Sequence, residues 1–199
     1  NISGTSKVFS FCNENKIKVI YSATSASLGN NGNDQSLSPY AFSKSKNLKL
    51  LMHLKKWFGL SYEALYFYNV YGPRQIKIGS MSTVIGIFEN QYENNKPITV
   101  VSPGTQSRRF THIQDTIKGC YFAWKKNLNR HYILSNTKSY KLLYVAKMFS
   151  KNIKIIKPRL GERKKSSIIK KIGGLKVYNL QCEISLKSYI HNFKENLRK

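Results

Sequence analysis

The sequence predicts an α/β fold built on a parallel sheet, and three observations carry that prediction. Buried-type apolar runs alternate with segments of helical periodicity from Lys16 to Lys157. Ser-Pro, Gly and Asn-rich stretches punctuate them where helices should start and chains should turn. No internal repeat or low-complexity tract breaks the alternation. With 199 residues, 41% of them apolar, the chain can bury one sizeable core or two small ones.

"KIKVIYSA" (Lys16 to Ala23) reads as a buried strand, and the Gly- and Asn-rich "SLGNNGNDQSL" after it as a loop. Ser38 and Pro39 then supply an N-cap and a first helical position: a seryl oxygen accepts an orphan backbone N–H there, and proline has no N–H to lose. Apolar residues recur at helical spacing to about Phe58, and Gly59 closes the helix. "YEALYFYNV" is the next strand, turning at Tyr71-Gly72-Pro73-Arg74. A helix through "TVIGIFENQYENN", a strand "PITVV", the segment "RRFTHI", a helix "DTIKGCYFAWKKN", a strand "HYILS", a helix "SYKLLYVAKMF" and a strand "IKIIK" follow.

Composition removes several function classes. No stretch is long and apolar enough to span a bilayer, and "NISGTSKVFSF" has neither the basic region nor the cleavage signal of a secretory peptide. Cys12, Cys120 and Cys182 are odd in number and far apart, so a reducing cytoplasm is the expected location. His53, His112, His131 and His191 lack the spacing of a zinc-binding helix, and nine scattered acids argue against paired-carboxylate or carboxylate-metal chemistry. The formal net charge of +25 points to an anionic partner. The lysines nevertheless run through the whole chain beside Asn and Ile, as a codon bias toward A and T would distribute them, and they would also attract phosphorylated substrates.

Tyr40 and Lys44, one turn apart at the start of the Ser38-Pro39 helix, are the candidate chemistry. An ammonium beside a phenol favours the phenolate, which makes a tyrosine usable as acid and base. The spacing alone decides little: a chain this rich in Tyr and Lys shows it roughly twice by chance, and Tyr92/Lys96 and Tyr121/Lys125 share it. Context separates them. Tyr40 alone follows Ser-Pro and a strand ending in hydroxyl residues, "VIYSATSASLG", where Thr24 falls at the carboxyl end. The other two pairs sit at helix ends, where lysine suits the dipole.

These residues carry a family resemblance. "YSATSASLG" followed by "SPYAFSK" resembles the active-site segment of the extended short-chain dehydrogenase/reductases, the NAD-dependent nucleotide-sugar epimerases and dehydratases. Further motifs agree in order: "YFYNVYGPRQ", "PGTQSRRFTHIQD" and "KPRLGER", with "NISGTSKV" similar to the helix before the catalytic strand. The resemblance implies a partial doubly wound Rossmann-type parallel sheet with a smaller α/β substrate-binding domain. It places residues 1–72 and 109–130 in the NAD-binding domain and 73–108 and 131–199 in the nucleotide-sugar-binding domain.

On that resemblance Tyr40 would be the general base for the sugar hydroxyl. Lys44 would bind the nicotinamide ribose and favour the phenolate, and Thr24 would hydrogen-bond the same hydroxyl. Asn69, Arg108 and Arg159 match positions that contact the sugar nucleotide, the arginines suiting phosphate bidentately; Asn1 matches a position near the cofactor. The implied cofactor is NAD and the implied substrate a UDP-sugar, oxidised to a keto-sugar and re-reduced on the other face. Family pairing through the Tyr-Lys helix implies a homodimer.

Departures qualify this. Ala26 stands where sugar dehydratases carry an acid, which disfavours water loss. Arg109 replaces the usual Asp, and Leu28 the usual Tyr. No glycine fingerprint follows a strand; Gly29 and Gly32 read as turn residues. With no starting Met, the chain is expected to be the downstream part of a longer protein and inactive by itself. Two alternatives stay open: a dehydratase or reductase of the same family, and an inactive remnant binding nucleic acid or anionic polysaccharide through "KPRLGERKKSSIIKK". The second lacks interleaved aromatic platforms in that tail.

Overall fold

The computed structural model describes residues 1–25, 38–158, 171–172 and 175–198. In chain order the elements are α1 (Ile2–Glu14), β1 (Val19–Thr24), α2 (Pro39–Phe58), β2 (Tyr62–Phe67), β3 (Val70–Tyr71), α3 (Val84–Glu93), β4 (Ile98–Val101), β5 (Ser107–Arg109), β6 (Thr111–His112), α4 (Ile113–Lys126), β7 (His131–Leu134), β8 (Ser139–Lys141), α5 (Leu142–Phe149), β9 (Ile153–Ile156), β10 (Lys171–Ile172), β11 (Leu175–Leu180) and α6 (Leu186–Asn196). They form two compact units. Unit 1 comprises Asn1–Tyr68, Ile117–Leu134 and Ser167–Leu180; unit 2 comprises Asn69–Thr116, Ser135–Ser166 and Gln181–Lys199.

Unit 1 is a sheet with helices on both faces. Among the described residues its strand order is β1-β2-β7-β11-β10, with parallel pairing from β1 through β11 and β10 antiparallel at the end. β2 shows why both faces need cover, since every second residue points to the same side. Tyr62, Ala64 and Tyr66 pack with Phe9 and Cys12 of α1 and Leu48 and Leu51 of α2, while Leu65 packs with Ala123 of α4. Burial of such side chains, at roughly 25 cal/mol per Å² of apolar surface, is what holds the layers together. The register aligns Thr24 with Phe67, Phe67 with Leu134 and Leu134 with Leu180, so the parallel strands end in one row.

One ionised group lies inside this unit. Glu63 is 0% exposed, and its carboxylate accepts from Lys18 Nζ at 2.9 Å and from the backbone N–H groups of Asn129 and Arg130 at 2.8 and 2.6 Å. Pairing and hydrogen bonding are what make a buried charge tolerable.

Unit 2 is assembled from two-stranded pieces: β3 with β6 and β4 with β9, both parallel, and β5 with β8, antiparallel. Phe88 of α3, Val100 of β4, Phe110, Val145 and Phe149 of α5 and Ile190 of α6 share its core. Gly86 of α3 lies against the Ile76 carbonyl with no room for a Cβ, which fixes the approach of that helix.

Several expectations need correction. The domain boundaries differ because β7 pairs between β2 and β11; residues 131–134 and 175–180 therefore join the sheet of unit 1, and 69–72 and 109–116 join unit 2. The strand expected over 62–70 breaks at Tyr68 and Asn69, where Asn69 adopts φ 38°. The helix expected from Ser139 begins at Leu142, since Ser139–Lys141 pair with β5 instead. No helix among the described residues is long and apolar enough to cross a membrane. Among them too, no group of three or more His, Cys, Asp or Glu is placed to hold a metal ion.

Candidate active site

α2 begins as the sequence predicts. Ser38 Oγ accepts from Ala41 N at 3.1 Å, Pro39 takes the first turn, and Gly59 ends the helix at φ 75° with its N–H on Lys55 O at 2.9 Å. Capping places Tyr40 in the first turn and Lys44 one turn later. The Tyr40 side chain is open to solvent, at 51% exposure. Lys44 is half-buried: its Nζ donates to Ser22 O at 2.9 Å and lies 5.3 Å from the centroid of the Tyr21 ring. Burial draws the Lys44 ammonium below the ordinary lysine value. Thr24 is the last residue of β1, two residues beyond that carbonyl.

Tyr21 is the second phenol beside Lys44. Its hydroxyl donates to Lys44 O at 3.3 Å, and its pKa is pushed up to about 12, first by burial and to a smaller extent by Tyr40, against the lowering effect of the Asn47 amide. Tyr21 therefore stays protonated at neutral pH, and Tyr40 is the phenol a ligand can reach. Asn47 follows Lys44 by three residues and is buried; its Nδ2 donates to Asn1 O at 3.1 Å, while its Oδ1 is buried without a partner. Sequence reasoning did not single out Asn47. A polar residue on the inward stripe of α2, between Lys44 and Leu48, was the signal available.

The two other Tyr-Lys pairs of the same spacing stand in different surroundings. Tyr92 packs beside Phe149 and Phe193, under Lys194. Tyr121 is exposed, next to Trp124 and below Lys125.

Unit 2 holds a cavity of about 350 Å³ lined by Asn69, Arg108, Ser82, Thr83 and Thr99 with apolar walls that include Phe88 and Phe110. Among the described residues, no carboxylate lines it. Asn69 Nδ2 donates to Arg109 O at 2.7 Å, and Asn69 O accepts from Thr111 N at 3.4 Å, so this left-handed residue is tied to β5 and β6 from both ends. Thr83 caps α3 by accepting from Gly86 N at 3.3 Å, and Thr99 is fixed by two hydrogen bonds with the Gln91 amide, at 2.8 and 3.0 Å. Asn69 and Arg108 thus line one cavity in unit 2, while in unit 1 Tyr40 and Lys44 lie one turn apart on α2 and Thr24 ends β1, the strand whose Ser22 carbonyl holds Lys44. Arg159, Ala26, Leu28, Gly29 and Gly32 lie outside the described residues.

The chain is similar to several known proteins in sequence and fold. A protein of Bacillus subtilis (strain 168) described as an uncharacterized UDP-glucose epimerase, YtcB, is 33% identical over 127 residues, 60% of this chain and 39% of that protein. A solved UDP-N-acetylglucosamine 4-epimerase from Methanobrevibacter ruminantium M1, in complex with UDP-N-acetylmuramic acid, superposes with a TM-score of 0.76 at 27% identity, covering 100% of this chain and 66% of that one. A UDP-glucuronic acid 4-epimerase mutant from Bacillus cereus, solved with a fluorinated UDP-glucuronic acid and NAD, gives 0.80 at 25% identity over 98% and 66%. The chain spans about two fifths of the length of the curated relatives it matches first. With residues 1–135 matching the model of the NAD dependent epimerase/dehydratase family, on the parallel sheet and Tyr-Lys helix described above, the chain belongs to that family.

Proposed function

We propose that the whole protein is an NAD-dependent nucleotide-sugar epimerase, with chemistry like that of a UDP-glucose 4-epimerase, and that Tyr40, Lys44 and Thr24 carry its proton chemistry. The observation that carries this reading is the half-buried Lys44 amine, anchored on Ser22 O near the carboxyl end of β1, with the exposed Tyr40 phenol one turn before it. In this reading Tyr40 removes the proton from a sugar hydroxyl and returns it at the end of the turnover. Thr24 hydrogen-bonds the same hydroxyl and orients it. Lys44 spends one of its three N–H donors on Ser22 O, which leaves two for the hydroxyls of a ribose. A cation partly withdrawn from water also acts more strongly on a neighbouring phenolate.

NAD, when bound, supplies the reversible acceptance of a hydride from the sugar carbon. The residues present fit its nicotinamide-ribose end. Lys44 has donors to spare, and Asn47, linked to Asn1, has a buried oxygen without a partner. The sequence carries no glycine fingerprint after a strand, so these residues hold that end alone. In unit 2, Arg108 suits the diphosphate, Asn69 adds an amide, and the apolar walls suit the faces of a base. Arg159 is assigned to the same nucleotide on its motif.

The test is Tyr40→Phe in the whole enzyme, which should abolish epimerisation while NAD remains bound, read by its absorbance. Tyr92→Phe and Tyr121→Phe should be nearly silent. Equal losses from all three would sink the assignment.

A further inference from the structure

We propose that Arg109 is a positioning residue for the nucleotide seat, acting through Asn69 and Arg108; the inference rests on the reading of their cavity given above. Arg109 stands where the resembling family usually has an acid, and the contacts of the side chain give the substitution a use. Its Nη1 donates to Asn136 O at 3.1 Å and also to Thr137 O, so the guanidinium bridges two successive carbonyls of the segment between β7 and β8. No carboxylate pairs with it among the described residues, and its Nε is buried without a partner. The guanidinium is therefore held by backbone carbonyls, which an aspartate at this position would repel.

The backbone of Arg109 faces the other way in function. Its carbonyl oxygen receives the Asn69 amide at 2.7 Å, and the strand it belongs to is only three residues long, paired Ser107 to Lys141, Arg108 to Tyr140 and Arg109 to Ser139. Successive side chains of a strand point to opposite sides, so Arg109 reaches the 136–137 carbonyls while Arg108 lines the cavity. A short strand has few ladder bonds of its own to hold it. The Arg109 latch fixes its end, and with it the carbonyl that aims Asn69 and the backbone that aims Arg108.

The experiment is calorimetric titration of the chain with UDP. Arg109→Met should weaken the affinity by about five- to tenfold, on the order of the net worth of one ordinary hydrogen bond, with stoichiometry unchanged. Arg109→Lys keeps a charge and a donor and should stay within about threefold of the native protein. In an Asn69→Ala background, Arg109→Met should weaken binding far less than in the native one, because the two act through one contact. Native affinity in Arg109→Met, a loss seen only as reduced stoichiometry, or fully additive losses in the cycle would each overturn the inference. If Arg109→Met does not fold, the same cycle is run with Arg109→Lys, where a small loss that vanishes beside Asn69→Ala is expected and an additive one is contrary. A native chain that takes up no UDP would overturn the nucleotide reading itself, and the inference with it.

Discussion

Lowering the pH from 7 to 5 should cost unit 1 about 2 kcal/mol through a single side chain, His131. The ring is 2% exposed, with Nε2 2.9 Å from the Tyr62 hydroxyl and Nδ1 2.8 Å from the Tyr66 hydroxyl. A neutral imidazole fits that pair, one nitrogen donating and the other accepting, whereas an imidazolium would need both tyrosines as acceptors. Burial, with help from the Lys55 charge and against Glu63, lowers its pKa to about 4. In the unfolded chain it returns to about 6.5. Because the folded value is the lower one, the contribution is fully present above pH 6.5, falls as acid protonates the unfolded state, and levels off below about pH 4. At about 1.4 kcal/mol per pH unit the whole loss is about 3 kcal/mol, of which about 2 has been lost by pH 5. Urea titrations followed by tryptophan fluorescence read unit 1, since both tryptophans of the chain, Trp57 and Trp124, belong to it. His131→Gln, which cannot titrate, should show a much shallower pH dependence of the midpoint. Parallel pH profiles for the two proteins between pH 6.5 and 4 would refute the reasoning, whatever the other histidines contribute.

Two further outcomes follow from the packing. Glu63→Gln removes the charge that balances Lys18 and turns an N–H toward the backbone donors of Asn129 or Arg130, so it should destabilise unit 1 by about 3 kcal/mol in the same urea assay; a change below about 1 kcal/mol would contradict the network's role. Gly86→Ala should lower the calorimetric melting temperature of unit 2 by the equivalent of about 1–3 kcal/mol, although alanine is the better helix former, because its Cβ would meet the Ile76 carbonyl. A stabilised variant would show that α3 can shift.

What could be read from the sequence was whatever local chemistry dictates. The Tyr-Lys helix was legible from end to end because Ser38, Pro39 and Gly59 are start and stop signals that act within one turn. β2 was legible because a strand buried on both faces reads as a near-continuous apolar run, and β1 because its inward residues Val19, Tyr21 and Ala23 alternate with less buried ones. Ser139–Lys141 was not, since the residues that pull it into a strand are Ser107–Arg109, some thirty positions away. β11 and α6 went unread for the same reason: tertiary pairing with β7 and packing with α5 decide their state. Among the candidate site residues, those with a motif around them, Thr24, Tyr40, Lys44, Asn69 and Arg108, can be picked out from the sequence. Asn47 and the contacts of Arg109 cannot, because a buried amide and a guanidinium on backbone carbonyls have no spacing signature.

The interleaving of the two units has a consequence for anyone handling this protein. Because the chain passes from one unit to the other five times, at the junctions after Tyr68, Thr116, Leu134, Ser166 and Leu180, neither unit corresponds to a continuous stretch of gene. A stop codon after Leu134 would strip β7 of its neighbour β11, and a start codon at Asn69 would strip it of β2. Limited proteolysis should therefore yield nicked, co-purifying pieces rather than separable domains, and expression of either half should give insoluble material.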